Sequence, residues 1–197
     1  MKNISINIHQ VNFGETSIEE IPLTPFKTDW FGEAFAHVTE YKIAADEQFL
    51  LFYFQSNKKA VFNPEYNTRK ITKNLWKYDV AELFFLNTKT GRYQEFNFAP
   101  TGAYWSAVFS DYRKMETEVP FHPVSICTNK QENYWEIEIK FSLQDIGIGK
   151  ITDPEVQLNI CSILYDPKPT FLSQGKVLGN PDFHNDQAFC PIEFIGL

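Results

Sequence analysis

The segment from Leu75 to Phe109, LWKYDVAELFFLNTKTGRYQEFNFAPTGAYWSAVF, predicts three consecutive β-strands joined by turns. Its first strand, VAELFFL, is apolar at every position but Glu82. A carboxylate inside such a run is costly to bury unless it is paired or faces a wet groove. Trp76 lies six positions before Glu82, just ahead of the strand. An aromatic ring and a carboxylate at the mouth of a sheet are the two elements a saccharide site needs. One supplies a stacking face and the other an acceptor for hydroxyls.

The hairpin can be registered from the sequence. With the turn at Thr88–Gly91, and Gly91 taking the left-handed conformation, Leu86 faces Tyr93, Phe84 faces Glu95 and Glu82 faces Asn97. Those six share one face, a mixed aromatic and acidic surface. Ala81, Leu83, Phe85, Phe96 and Phe98 share the other, which reads as core, with Gln94 near the turn. A bulge in either strand would exchange the faces.

Turn signals recur along the rest of the chain at intervals of about ten residues. They predict an all-β fold, an antiparallel, jelly-roll-like β-sandwich in one domain spanning 1–197. Strands are expected near 4–12, 34–44, 48–55, 79–86, 93–99, 104–110, 124–129, 134–140, 157–165 and 188–195. The segment from Tyr134 to Lys140 alternates, with Trp135, Ile137 and Ile139 inward and Glu136, Glu138 and Lys140 outward. The one helical turn expected is Ser142–Ile146, where Ser142 offers an N-cap. Stretches 13–32, 56–76, 111–123 and 166–186 read as long loops, which in small domains often carry function. The aromatic loop containing Phe62 and Tyr66 either walls the site near Trp76 or is pinned to the sandwich by its rings.

With 197 residues the chain suits one sizeable core. Its aromatic share of 16%, including 19 Phe, favours strands. A net charge of −7 without a basic run points away from nucleic acid and anionic membrane as partners. No stretch approaches the length of a membrane span. The N-terminal segment alternates Ile4, Ile6 and Ile8 and lacks a signal peptide's apolar core, which fits a cytoplasmic protein or a trimmed secreted one. Cys127, Cys161 and Cys190 form no disulfide or zinc pattern and read as buried free thiols.

Several of these residues together resemble the family 9 carbohydrate-binding modules and their DOMON-like relatives. The similarity runs through Trp76, then Asp79–Val80–Ala81–Glu82–Leu83–Phe84–Phe85, then Tyr93 to Pro100 and Gly102. It continues at Asn180–Pro181–Asp182–Phe183–His184 before a closing strand. The resemblance covers about Trp30 to Leu197, and it is carried by the order and spacing of several short motifs.

This resemblance implies a β-sandwich that binds the ends of glucan- or xylan-type chains, with two tryptophans clamping a sugar and a glutamate and an asparagine holding its hydroxyls. Trp76 matches the first ring and Glu82 the glutamate. Asn180 is the natural match for the asparagine, with Asn97 as a further edge reader. No Trp follows Trp135, so Phe183 stands where the second ring is expected, a departure from the pattern. Arg113 is the candidate for an assisting arginine.

The alternative is a glycoside hydrolase-like enzyme using Glu82 and Glu95, since neighbouring strands can bring two carboxylates to a catalytic separation of about 5–10 Å. A structural alternative makes Trp76 a core cap and satisfies Glu82 through backbone or Lys77. The four histidines, His9, His37, His122 and His184, show no metal-ligand spacing. The expected partner is an oligosaccharide or polysaccharide, with no cofactor. Calcium is the one ion that the oxygen-rich loops 152–155 and 182–186 admit.

Overall fold

A computed structural model describes residues 4–66 and 70–196. Among these residues, thirteen strands are joined by tight turns and by several long loops. They are β1 (Ile6–Gln10), β2 (Thr24–Pro25), β3 (Thr39–Ala45), β4 (Phe49–Ser56), β5 (Val80–Asn87), β6 (Tyr93–Phe98) and β7 (Tyr104–Asp111), followed by β8 (Lys114–Glu118), β9 (Ser125–Gln131), β10 (Tyr134–Ser142), β11 (Val156–Tyr165), β12 (Pro169–Ser173) and β13 (Cys190–Gly196). The neighbour order is β8-β7-β6-β5-β11-β13-β1-β3-β4-β10-β9, with β12 added to β11 and β2 to β3. The path folds into two layers at β13. Its start pairs with β11 (Leu158 opposite Cys190), and its remainder pairs with β1.

The β-sandwich expectation holds, with one difference in strand direction. β1 runs parallel to both β13 and β3, so the fold is antiparallel except along this strand. Alternation in a sequence carries no information about the direction of a neighbour, and parallel partners are distant in the chain. The strand expected over 34–44 begins only at Thr39.

Three edge strands lie in stretches read from sequence as loops: β8, β12 and the two-residue β2, which pairs only with β3. β8, KMETE, is exposed at every position, and so lacks the alternation that marks a half-buried strand. β12 opens on Pro169 and pairs only with β11, which is where proline is tolerated in sheets. The helical turn expected after Ser142 is a single 3-10 turn, Leu143–Asp145, capped by the Ser142 hydroxyl.

The main core lies between the layers. Phe52, Phe54, Trp135 and Ile137 from β4 and β10 meet Leu83, Phe85, Phe96 and Phe98 from β5 and β6. Each buried phenylalanine contributes roughly 1.5–3 kcal/mol of apolar transfer. The hairpin register is the one read from the sequence, with Glu82 opposite Asn97, Phe84 opposite Glu95 and Leu86 opposite Tyr93. Gly91 adopts φ +71° at the turn.

The opposite face of this hairpin departs from expectation. It is no open surface but supports a second apolar cluster, which includes Trp30, Leu75, Trp105, Phe109 and Phe189. β5 and β6 are therefore buried on both faces. A further anchor holds the approach to β5. The sealed Asp79 carboxylate accepts from Lys58 Nζ at 2.5 Å, from the Val61 amide at 2.8 Å and from the Tyr165 amide at 2.7 Å. The loop before Trp76 is thus pinned by an ion pair as well as by rings, Tyr66 packing edge-on against Tyr78. Of the three free cysteines, Cys161 and Cys190 are buried as expected, but Cys127 is exposed on an outer strand.

Candidate functional site

A cavity of about 420 Å³ opens on the second face of the β5–β6 hairpin. Strand alternation determines what lines it. Glu82 and Phe84 point in from β5, Glu95 from β6, Trp105 and Phe109 from β7, and Ile163 and Phe171 from β11 and β12. Trp76, on the 3-10 turn Leu75–Lys77, stands at the mouth. Phe183 and His184 close the far wall.

Trp76 is 49% exposed, which excludes the core-cap reading of that ring. Lys77 does not reach Glu82; its ammonium lies 5.6 Å from the centre of the Trp76 ring. Phe183, by contrast, is only 7% exposed and packs against Trp30, Phe84 and Phe171 at centroid separations of 5.8–6.3 Å. It forms a wall fixed by its neighbours rather than a free platform. A second tryptophan, Trp105, also lines this cavity, though it is buried like Phe183. Sequence reasoning missed it, although Trp105 lies directly opposite Asn97 and so shares the face of Glu82.

The polar floor consists of Glu82 and Glu95, 2% and 6% exposed. They are diagonal neighbours across β5 and β6. Glu95 accepts from Asn97 Nδ2 at 2.8 Å. Among the described residues nothing donates to Glu82. Burial raises the Glu82 carboxyl well above the usual range, and Glu95 beside it pushes the same way. Burial likewise pushes Glu95 up to about 7, against the opposing pull of Asn97 and Arg113. Asn97 Oδ1 and Trp105 Nε1 are also sealed without partners, as are His9 Nδ1 and Trp135 Nε1, whose residues do not line this cavity.

The far wall is a chain of hydrogen bonds. The Arg113 amide donates to Tyr93 Oη at 3.0 Å, and Tyr93 Oη lies 2.8 Å from His184 Nδ1. The direction of that bond follows the histidine tautomer, and His184 Nε2 lies 3.9 Å from Glu95 Oε2. Burial and the nearby Arg113 push His184 down to about 4, so the ring is neutral at pH 7. The Arg113 guanidinium is engaged outward with Asp182 at 2.8 Å, and Tyr112 also donates to that carboxylate. At the mouth, Lys73 pairs with Glu118 at 2.6 Å.

Of the residues singled out from the sequence, Trp76, Glu82 and Phe183 converge on one cavity. Asn97 lies sealed behind Glu95. Asn180 is exposed and outside the lining, next to Pro181, which is part of it. Among the described residues no group of three or more His, Cys, Asp or Glu is arranged to hold a metal.

No known family's sequence profile matches the chain. It is 29% identical over 127 residues to the UPF0462 protein C4orf33 homolog of Rattus norvegicus, and 28% identical over 127 residues to that of Mus musculus. These matches cover 61% of this chain and 61% and 63% of the relatives, so less than two thirds of the relatives' length is spanned. Solved structures are similar over nearly the whole chain. A Bacteroides uniformis protein whose description proposes carbohydrate binding superposes with a TM-score of 0.74 at 14% identity, over 98% of this chain and 100% of that one. A family 9 carbohydrate-binding module from Caldicellulosiruptor kristjanssonii, in complex with glucose, gives 0.65 at 11% identity over 98% and 97% of the two chains. The cellotriose complex of such a module from that organism gives 0.62 at 12%, over 98% and 95%. At these identities the likeness is one of fold.

Proposed function

We propose that this protein binds saccharides without transforming them, and that its ligand is a glucan- or xylan-type oligosaccharide met in polysaccharide processing. One observation carries the reading. A half-exposed tryptophan and two glutamates meet in a cavity beside an unpartnered indole N–H and an unpartnered amide oxygen. A pyranose ring has an apolar C–H face and a hydroxyl edge, and needs both kinds of surface. Trp76 takes the face, while Glu82, Glu95 and Trp105 Nε1 take the edge. Asn97 acts through Glu95, and Phe183 forms the wall. Asn180, outside the lining, is available to a ligand that extends past the rim. The fold shared with modules solved in complex with glucose and cellotriose supports this reading.

The test is calorimetry with cello- and xylo-oligosaccharides, run beside a chromogenic glycoside assay. Saturable binding with no turnover is the expected result. Turnover abolished by Glu95→Gln would instead establish the hydrolase reading of the same two carboxyls.

A further inference from the structure

The charges around the cavity leave one group without a counterpart. Lys73 is paired with Glu118, and Arg113 with Asp182. His184 is neutral and turns Nδ1 to Tyr93. Glu82 and Glu95 therefore sit together at the floor with one amide donor between them, from Asn97. Among the described residues neither forms an ion pair with a lysine or arginine. Burying two carboxyls side by side is unfavourable unless a proton or a cation joins them. The walls around them, Trp76, Phe84, Trp105 and Phe109, are aromatic. Aromatic faces attract cations as well as C–H groups.

We propose that the cavity selects a saccharide unit bearing a free primary amine, whose ammonium group bridges Glu82 and Glu95. The inference rests on the saccharide-binding reading and names the chemistry of the preferred unit: a gluco-configured chain with an amine in place of a hydroxyl. An ammonium brings three donors and the missing positive charge, where a hydroxyl brings one donor and no charge. Both carboxyls ionise as it binds, and their protons pass to the buffer. The weakened acidity of both carboxyls is the behaviour of a buried pair that lacks such a partner. An N-acetylated amine loses the charge and two of its donors, so the site discriminates against it.

The experiment is calorimetry of the full chain with three ligands: cellotriose, chitotriose carrying free amines, and N-acetylated chitotriose. The free amine is expected to bind about tenfold more tightly than cellotriose, the difference between charged and neutral hydrogen bonds. Glu82→Gln and Glu95→Gln are each expected to remove that preference, so that free-amine chitotriose and cellotriose bind alike, both more weakly than to the parent. Glu136→Gln, on the outward face of β10, is expected to retain it, which separates a site effect from the general attraction of an acidic protein for a cationic sugar. Equal affinity for cellotriose and free-amine chitotriose, or a preference that survives in both glutamine variants, overturns this inference and leaves saccharide binding standing. Binding of none of the three overturns both.

Discussion

Glu82 and Glu95 lie on adjacent strands, one diagonal step apart, at the floor of a cavity where no lysine or arginine among the described residues pairs with either. The pair controls how stability depends on pH. Both glutamates titrate near 4.5 when unperturbed, whereas burial holds folded Glu95 at about 7 and Glu82 well above its ordinary value. The folded state therefore binds more protons than the unfolded chain between these values. The stability Glu95 contributes is fully present below pH 4.5 and is lost as pH rises through 7, and Glu82 acts with the same sign. Glu95→Gln is expected to raise stability above neutral pH by up to about 3 kcal/mol, with the gain vanishing under acid. Thermal melts of the variant and parent across pH read this directly; a constant difference would show that the carboxyl is not the titrating group.

His184 works in the opposite direction. Its folded pKa of about 4 lies below the ordinary 6.5, so its contribution is present above 6.5 and is lost as pH falls through 4. His184→Gln is expected to flatten the acid limb of the stability profile. Denaturant midpoints at pH 6.5 and 4 give the comparison. An unchanged acid limb would place the effect on another group.

The two aromatic residues picked out from sequence are expected to behave differently. Trp76 is half-exposed, so Trp76→Ala should change stability by no more than about 0.5–1 kcal/mol while removing saccharide binding. Phe183 is packed among three rings, and Phe183→Ala should cost about 3–5 kcal/mol. Chemical denaturation alongside calorimetry separates these outcomes. Unfolding of the Trp76 variant would contradict the placement of that ring at the mouth of the cavity.

Trp105→Phe removes a buried N–H that has no protein partner. Stability is expected to hold or rise slightly, because an unsatisfied buried donor is itself a cost. Saccharide affinity is expected to fall by about tenfold if the ligand accepts from that group. A variant that binds as the parent does would show that Trp105 contributes only its ring.

The Lys58–Asp79 pair is an anchor for the site. Asp79→Ala leaves a sealed ammonium and two backbone amides without their acceptor, at an expected cost of about 3–5 kcal/mol. Because the pinned loop leads into the turn carrying Trp76, weaker binding should accompany the loss. Equilibrium unfolding tests the first effect and calorimetry the second.

What was legible in the sequence follows from strand periodicity. Gly91 fixes the turn, the alternation of β5 and β6 then fixes the register, and Glu82 and Glu95 fall on one face without further information. The same alternation carried one strand further would have found Trp105, which shares their face through Asn97. Other features depend on contacts distant in the chain. Nothing local shows that Trp30 and Phe189 cover the acidic face, or that β1 lies parallel to β13. β8 was illegible for a different reason, since an edge strand with every side chain in water has no pattern to read. Asp79 looked like part of a strand motif, and only the fold shows it meeting Lys58 and Tyr165.

The most direct test of the central claim is a crystal structure with the oligosaccharide that binds most tightly in calorimetry. The account expects a sugar ring in the cavity, stacked on Trp76, with a polar substituent within hydrogen-bond distance of Glu82. A saturated crystal with the sugar seated elsewhere, and Glu82 still without a partner, would contradict it.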